Sequence, residues 1–203
     1  KQFVRKNVFG NPAIWVLAIA NFFVYIVRYA VLDWGPTLLG EWKGVSIHHA
    51  GWMVAAFEIS GIVGMLVAGW ATDRFFGGRG PRVCVICMAL ATVFVALFWG
   101  ISQPPMWLAT LLLGAAGFCI YGPQALVGIA AANIATKKAA ATAVGFTGLF
   151  GYASTLVSGW GLGLLAQHYG WNIAVGALIL IAIMGTLIFM AAWSAKANGY
   201  DND

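Results

Sequence analysis

The sequence predicts an all-α membrane protein, a single six-transmembrane-helix bundle spanning residues 1–203. Three observations predict it. Hydrophobic residues make up 62% of the chain and charged residues only 8%, whereas a soluble domain carries about 25% charged residues. Continuous apolar runs cover about residues 12–39, 49–71, 83–101, 107–134, 139–166 and 171–193, each close to or above the ~20 residues that cross a bilayer as a helix. Basic residues alternate between loops. Nine of the eleven Lys and Arg (Lys1, Arg5, Lys6, Arg74, Arg79, Arg82, Lys137, Lys138 and Lys196) fall before the first run, in alternate loops, or after the last, and Lys43 stands alone in the opposite set. That asymmetry predicts both termini in the cytoplasm. The runs lack the ~10-residue alternation of a barrel, and in lipid a helix closes its own backbone hydrogen bonds.

The first span is the one that carries charge. Arg28 lies near the middle of Asn21–Trp34, and a guanidinium in hydrocarbon costs from ~2.5 to over ~10 kcal/mol. Such a charge is kept where it faces a wet cavity or an anion. Tyr25 is one turn earlier on the same face, and a phenol beside a guanidinium suits a small oxyanion, since both donate hydrogen bonds. Asp33 is five residues beyond Arg28, ~140° around a regular helix, so the two do not share a face. Gly35-Pro36 is expected to break or bend the helix there, which puts Asp33 near a mouth as a cap or structural partner.

The second span holds Glu58, which reads as a proton site or as a counter-ion, with the counter-ion or structural role favoured. Arg28, Asp33 and Glu58 are the formal charges inside the spans. The third and sixth spans are plain Leu, Ile, Val and Met, as lipid-facing helices are. The fourth carries Tyr121 and Gln124 around Gly122-Pro123, where a kink is expected. The fifth carries Tyr152. Tyr25, Tyr121, Gln124 and Tyr152 are scarce polar groups from three spans that can converge on one cavity, or serve as packed aromatics. Gly61, Gly64, Gly114, Gly117, Gly145, Gly148 and Gly151 read as close helix packing. Trp15, Trp34, Trp52 and Trp171 lie near span ends, as in an aromatic belt.

The remaining features are bland. Cys84, Cys87 and Cys119 sit in apolar runs and behave as small hydrophobes. His48, His49 and His168 are solvated loop ends, and the tail 198–203 is expected to fray. The chain predicts no metal, no cofactor and no enzyme activity: it shows no nucleophile–base pair, metal cluster or phosphate-cradling loop. The basic residues mark topology rather than a nucleic-acid partner. Opening on Lys1 with no cleavable leader fits one part of a longer polypeptide.

Residues 69–82, with Asp73-Arg74 followed by Arg79 and Arg82, resemble the signature loop of the major facilitator superfamily, although the spacing after Arg74 is stretched. In that family the loop serves gating, as an ion-pair latch between neighbouring helices. The run Asn21–Trp34, the Tyr121-Gly122-Pro123 kink and residues 137–152 resemble the organophosphate:phosphate antiporter family, glycerol-3-phosphate transporters above all. The likeness is to the C-terminal six helices of a twelve-helix protein of the cytoplasmic (inner) membrane.

The resemblance implies that Arg28 and a second arginine in a missing N-terminal half clasp a substrate phosphate, with Tyr25, Tyr121 and Tyr152 lining the cavity. Inorganic phosphate leaves in exchange. Two facing arginines would neutralise a dianion, and an empty site left with like charges would resist closing. At the end of the fourth span, however, this chain has Ala130 and Asn133 where glycerol-phosphate members carry His and Glu. Ala130-Ala131-Ala132 is similar to sugar-phosphate sensors. A membrane sensor without transport is therefore the alternative, and a structural half-bundle with Arg28 merely paired to a carboxylate is the bland one.

Overall fold

The computed structural model describes residues 2–195 and is helical throughout. The elements are α1 (Gln2–Val4) with a π-helical turn Arg5–Phe9, α2 (Pro12–Lys43), α3 (Ile47–Phe76), α4 (Gly80–Gly100), α5 (Met106–Ala135) and α6 (Ala140–Ala153). They are followed by a π-helical turn Val157–Gly161, α7 (Leu162–Tyr169) and α8 (Trp171–Ala191). Among the described residues six spans are long and apolar enough to cross a membrane, the fifth running from Ala140 to Tyr169 through α6, the π turn and α7. Lys1, Lys196 and the tail 198–203 lie outside the described residues.

Local chemistry sets the ends. Asn11 accepts the Ala13 N–H at 3.0 Å, and Pro12 follows where its missing N–H is harmless, so α2 starts there. Gly44, at φ 68°, ends it, with the Gly44 and Val45 N–H groups returning to the Gly40 and Leu39 carbonyls. Ser46 then caps α3. Positive φ at Gly77 (56°) and Gly78 (77°) turns the chain out of α3 into the signature loop.

Two expectations about the helices need correcting. Gly35-Pro36 does not break the first span, because α2 stays helical to Lys43. Gly35 is instead a close approach: a Cβ there would lie 2.7 Å from Val54 Cγ2 of α3. The fifth span is not one regular helix. Its π turn frees backbone carbonyls, and Trp34 Nε1 donates to both Ser158 O and Gly159 O at 3.1 Å. Trp34 and Trp171, expected near span ends, also pack within the bundle, Trp171 being only 9% exposed.

The glycines divide. A Cβ at Gly64 would overlap Phe118 O, one at Gly117 would overlap Phe57 O, and one at Gly61 would run into the Tyr121 ring, so α3 and α5 touch backbone to backbone. Gly151 brings α6 onto α2, where a Cβ would lie 2.9 Å from Asn21 Nδ2, which donates to Thr147 O at 3.0 Å. Gly145 and Gly148 face open space and are not packing positions within this chain. Buried faces of α2 and α5 form the centre of the core. α4 and α8 pack behind them and turn Leu90, Val93, Leu97, Leu180, Leu187 and Met190 outward.

Candidate functional site

The backbone contact of α3 with α5 places Glu58 beside Tyr121, and the packing of α2 on both brings Arg28 to the same point. Arg28 Nη2 donates to Tyr121 Oη at 2.8 Å. Tyr121 Oη donates in turn to Glu58 Oε2, and Arg28 Nη2 lies 3.6 Å from that same oxygen. The guanidinium carbon stands 4.6 Å from the Tyr121 ring centre and 5.5 Å from that of Tyr29. One phenol thus bridges a cation and an anion from three helices.

A second aromatic group adjoins it. The Tyr25 ring centre is 5.7 Å from Tyr29 and 5.9 Å from Tyr152. The Gln124 side chain lies near the Tyr25 phenol. Tyr25, Tyr29, Arg28, Tyr121, Glu58, Gln124 and Tyr152 therefore form one continuous polar patch from α2, α3, α5 and α6. Tyr152 is its most open member, 63% exposed.

The patch is electrostatically incomplete. Arg28 Nε, Glu58 Oε1 and Gln124 Oε1 are buried atoms without a hydrogen-bond partner. A buried polar group left unmade costs roughly 1–3 kcal/mol, so the two on the ion pair itself, Arg28 Nε and Glu58 Oε1, mark a place built to receive polar atoms. Arg28 and Glu58 side chains remain 16% and 31% exposed, so the pair is reachable.

Geometry bears on several sequence expectations. Glu58 pairs with Arg28, in keeping with the favoured counter-ion reading. Asp33 is exposed and, among the described residues, forms no ion pair. Asp73 and Arg74 are exposed on the last turn of α3, and no ion pair joins Asp73 to Arg74, Arg79 or Arg82 among the described residues. Arg82 instead donates through Nε to Trp193 O at 3.3 Å, clamping α4 to the end of α8. Tyr29 was missed by sequence reasoning, although its place four residues after Tyr25 and next to Arg28 was the available signal.

Residues 5–199 match the profile of the Major Facilitator Superfamily. The chain belongs to that family. It is 40% identical over 196 residues to a probable hexose phosphate transport protein of Chlamydia pneumoniae, covering 96% of this chain and 43% of that protein. It is 36% identical to a glycerol-3-phosphate transporter of Haemophilus influenzae, covering 97% of this chain and 45% of that protein. A membrane sensor protein of Salmonella typhimurium is 34% identical, with 97% of this chain and 45% of that protein covered. The chain thus spans under half the length of these curated relatives. Six apolar helices in a chain of this family make it an integral membrane protein and, by architecture, a six-helix half of the fold.

Proposed function

We propose that these six helices are the C-terminal half of a transporter that carries an organic phosphate ester, glycerol-3-phosphate or a related compound, in exchange for inorganic phosphate. The observation that carries the reading is Arg28, a mid-span guanidinium with one partnerless Nε, held by Tyr121 beside Glu58 on a reachable surface. A planar fork of this kind grips a phosphate through two oxygens. Relatives named for hexose phosphate and glycerol-3-phosphate transport support the substrate class.

In this reading the phosphate takes the place of Glu58 at Arg28. Tyr121, which accepts from Arg28 in the empty site, turns its O–H to the substrate. Tyr25, Gln124 and Tyr152 contact the remainder of the ester, and Asp33 faces the N-terminal half. Rocking of the two halves alternates access around a midplane site. Asp73, Arg74 and Arg79 act at the gate on the side of the termini, and the excess of basic residues there supports a cytoplasmic side.

The test is Arg28→Lys in the full-length protein. Lysine keeps the charge and loses the fork, removing one charge-assisted hydrogen bond of about 1.5–3 kcal/mol, so phosphate affinity should fall ~10–150-fold. Unchanged phosphate counterflow in proteoliposomes would refute the role.

The sensor relative supports a second reading, in which the same patch binds a sugar phosphate without flux. Wild-type counterflow separates the two: binding without exchange favours the sensor. A purely structural ion pair is disfavoured by the partnerless Arg28 Nε and Glu58 Oε1, which a pair kept for stability alone has no reason to leave buried.

A further inference from the structure

The π turn and α7 do more than complete a span. Together with the last turns of α2 and the start of α8 they enclose a cleft of about 520 Å³ at the end of the bundle opposite the termini. Its walls are Trp34, Trp160 and Trp171, and its polar groups are Thr37, Glu41 and Gln167. No basic side chain lines it.

The indole N–H groups of Trp34 and Trp171 are already committed. Trp34 Nε1 serves the Ser158 and Gly159 carbonyls, and Trp171 Nε1 donates to Glu41 Oε2 at 2.7 Å. What these two rings present to a visitor is therefore π-face, set 5.9 Å apart between centres at 56°. Gly163 makes the arrangement possible, since a Cβ there would lie 2.6 Å from Trp34 Cζ2. The Trp171 bond fixes one carboxylate oxygen of Glu41 and leaves Oε1 for a ligand.

Glu41 has no cation of its own. The nearest lysine in sequence, Lys43, is turned away: its Nζ donates to Ile101 O at 2.6 Å and sits 3.8 Å over the Trp42 ring. Glu41 forms no ion pair among the described residues. A fixed carboxylate among indole faces attracts a cation by charge and by the ring quadrupoles. It repels the phosphate esters proposed for Arg28, so this is a different site for a different chemistry. A bare metal ion is disfavoured, because no group of three or more metal-ligating side chains is found among the described residues.

We propose that this cleft binds an organic ammonium group of the ethanolamine or choline type. Its position at span ends, with Trp160 75% exposed, lies at the depth where headgroups meet aromatic side chains. The ammonium can thus come from a phospholipid headgroup or from a free amine, and the recognising chemistry is the same.

The experiment uses the full-length protein in detergent and reads bound ligand by native mass spectrometry. The probes are phosphatidylethanolamine, phosphatidylglycerol and, separately, tetramethylammonium. Wild type should retain phosphatidylethanolamine in preference to phosphatidylglycerol, and Glu41→Gln should weaken that retention at least ~10-fold. Competition by tetramethylammonium at equal concentration identifies a free amine as the source, and its failure to compete identifies the lipid. Should Glu41→Gln not fold, Trp160→Ala replaces it, since that exposed ring supports no buried contact and its loss should weaken the same retention. Equal retention of the two lipids, or retention unaffected by both substitutions, would overturn the proposal.

Discussion

Glu58→Gln is the perturbation that most directly separates a binding site from a structural ion pair. Arg28 Nη2 and Glu58 Oε2 lie 3.6 Å apart. At an effective dielectric constant near 20 their attraction is about 5 kcal/mol before solvent is considered. Partial exposure and the desolvation both ions already bear reduce the net effect to roughly 1–3 kcal/mol. On the proposed function, an arriving phosphate displaces that carboxylate. Removing its charge while keeping an oxygen that can accept from Tyr121 should therefore tighten inorganic phosphate ~5–150-fold. The same substitution leaves Arg28 without its counter-ion, so the ligand-free protein should melt lower than wild type and recover when phosphate is added. The assay is thermal unfolding of the purified full-length protein against phosphate concentration, checked by calorimetric titration. Equal phosphate affinity in wild type and variant would refute the displacement argument, because the carboxylate would then not compete for Arg28.

Two further substitutions test how the fold holds the site. Gly64→Ala drives a methyl group into Phe118 O and should destabilise by about 1–3 kcal/mol as overpacking does, whereas Gly145→Ala, with open space around it, should leave the melting temperature unchanged; equal shifts would contradict the assigned α3–α5 contact. Trp34→Phe removes the donor shared by Ser158 O and Gly159 O and should loosen the π turn by about 1 kcal/mol, read as faster amide exchange across residues 154–162, and unchanged exchange would show the turn to be held otherwise.

Helix number and the polar residues worth watching were legible because both are one-dimensional properties: a run of apolar residues is its own signal, and a charge inside one is conspicuous. Helix ends were less legible. Hydrophobicity stops near Leu39, but the hydrogen-bonded helix runs on through Glu41, Trp42 and Lys43 until Gly44 takes positive φ. At position 36 proline does not end the helix: of the two expectations, break or bend, the break is excluded because α2 runs on to Lys43. The pairing of Glu58 with Arg28 was only half legible. It depends on how closely α3 approaches α5, which Gly61, Gly64 and Gly117 set but which no single-helix periodicity encodes. The π turn had a signal in Ser154, Ser158, Gly159, Gly161 and Gly163, and the length of the apolar run concealed it.

The counter-ion also changes which charge state the site should prefer. Counting Arg28, Glu58 and the second arginine that the family resemblance implies, the empty site carries a net charge of about +1, not +2, so like-charge repulsion alone is a weaker brake on empty closure than two bare arginines would be. A monoanionic phosphate brings the closed site to neutrality, while a dianion overshoots by one. Removing the charge of Glu58 moves that balance to the dianion. Phosphate monoesters lose their second proton near pH 6 and inorganic phosphate about one unit higher, so the dianion fraction of both rises from pH 6 to pH 8. The affinity gained by Glu58→Gln should therefore be several-fold larger at pH 8 than at pH 6, measured as the phosphate dependence of counterflow at each pH. A gain independent of pH would mean that the carboxylate displaced from Arg28 also leaves the cage, and that the charge of the occupied cage is set by the arginines alone.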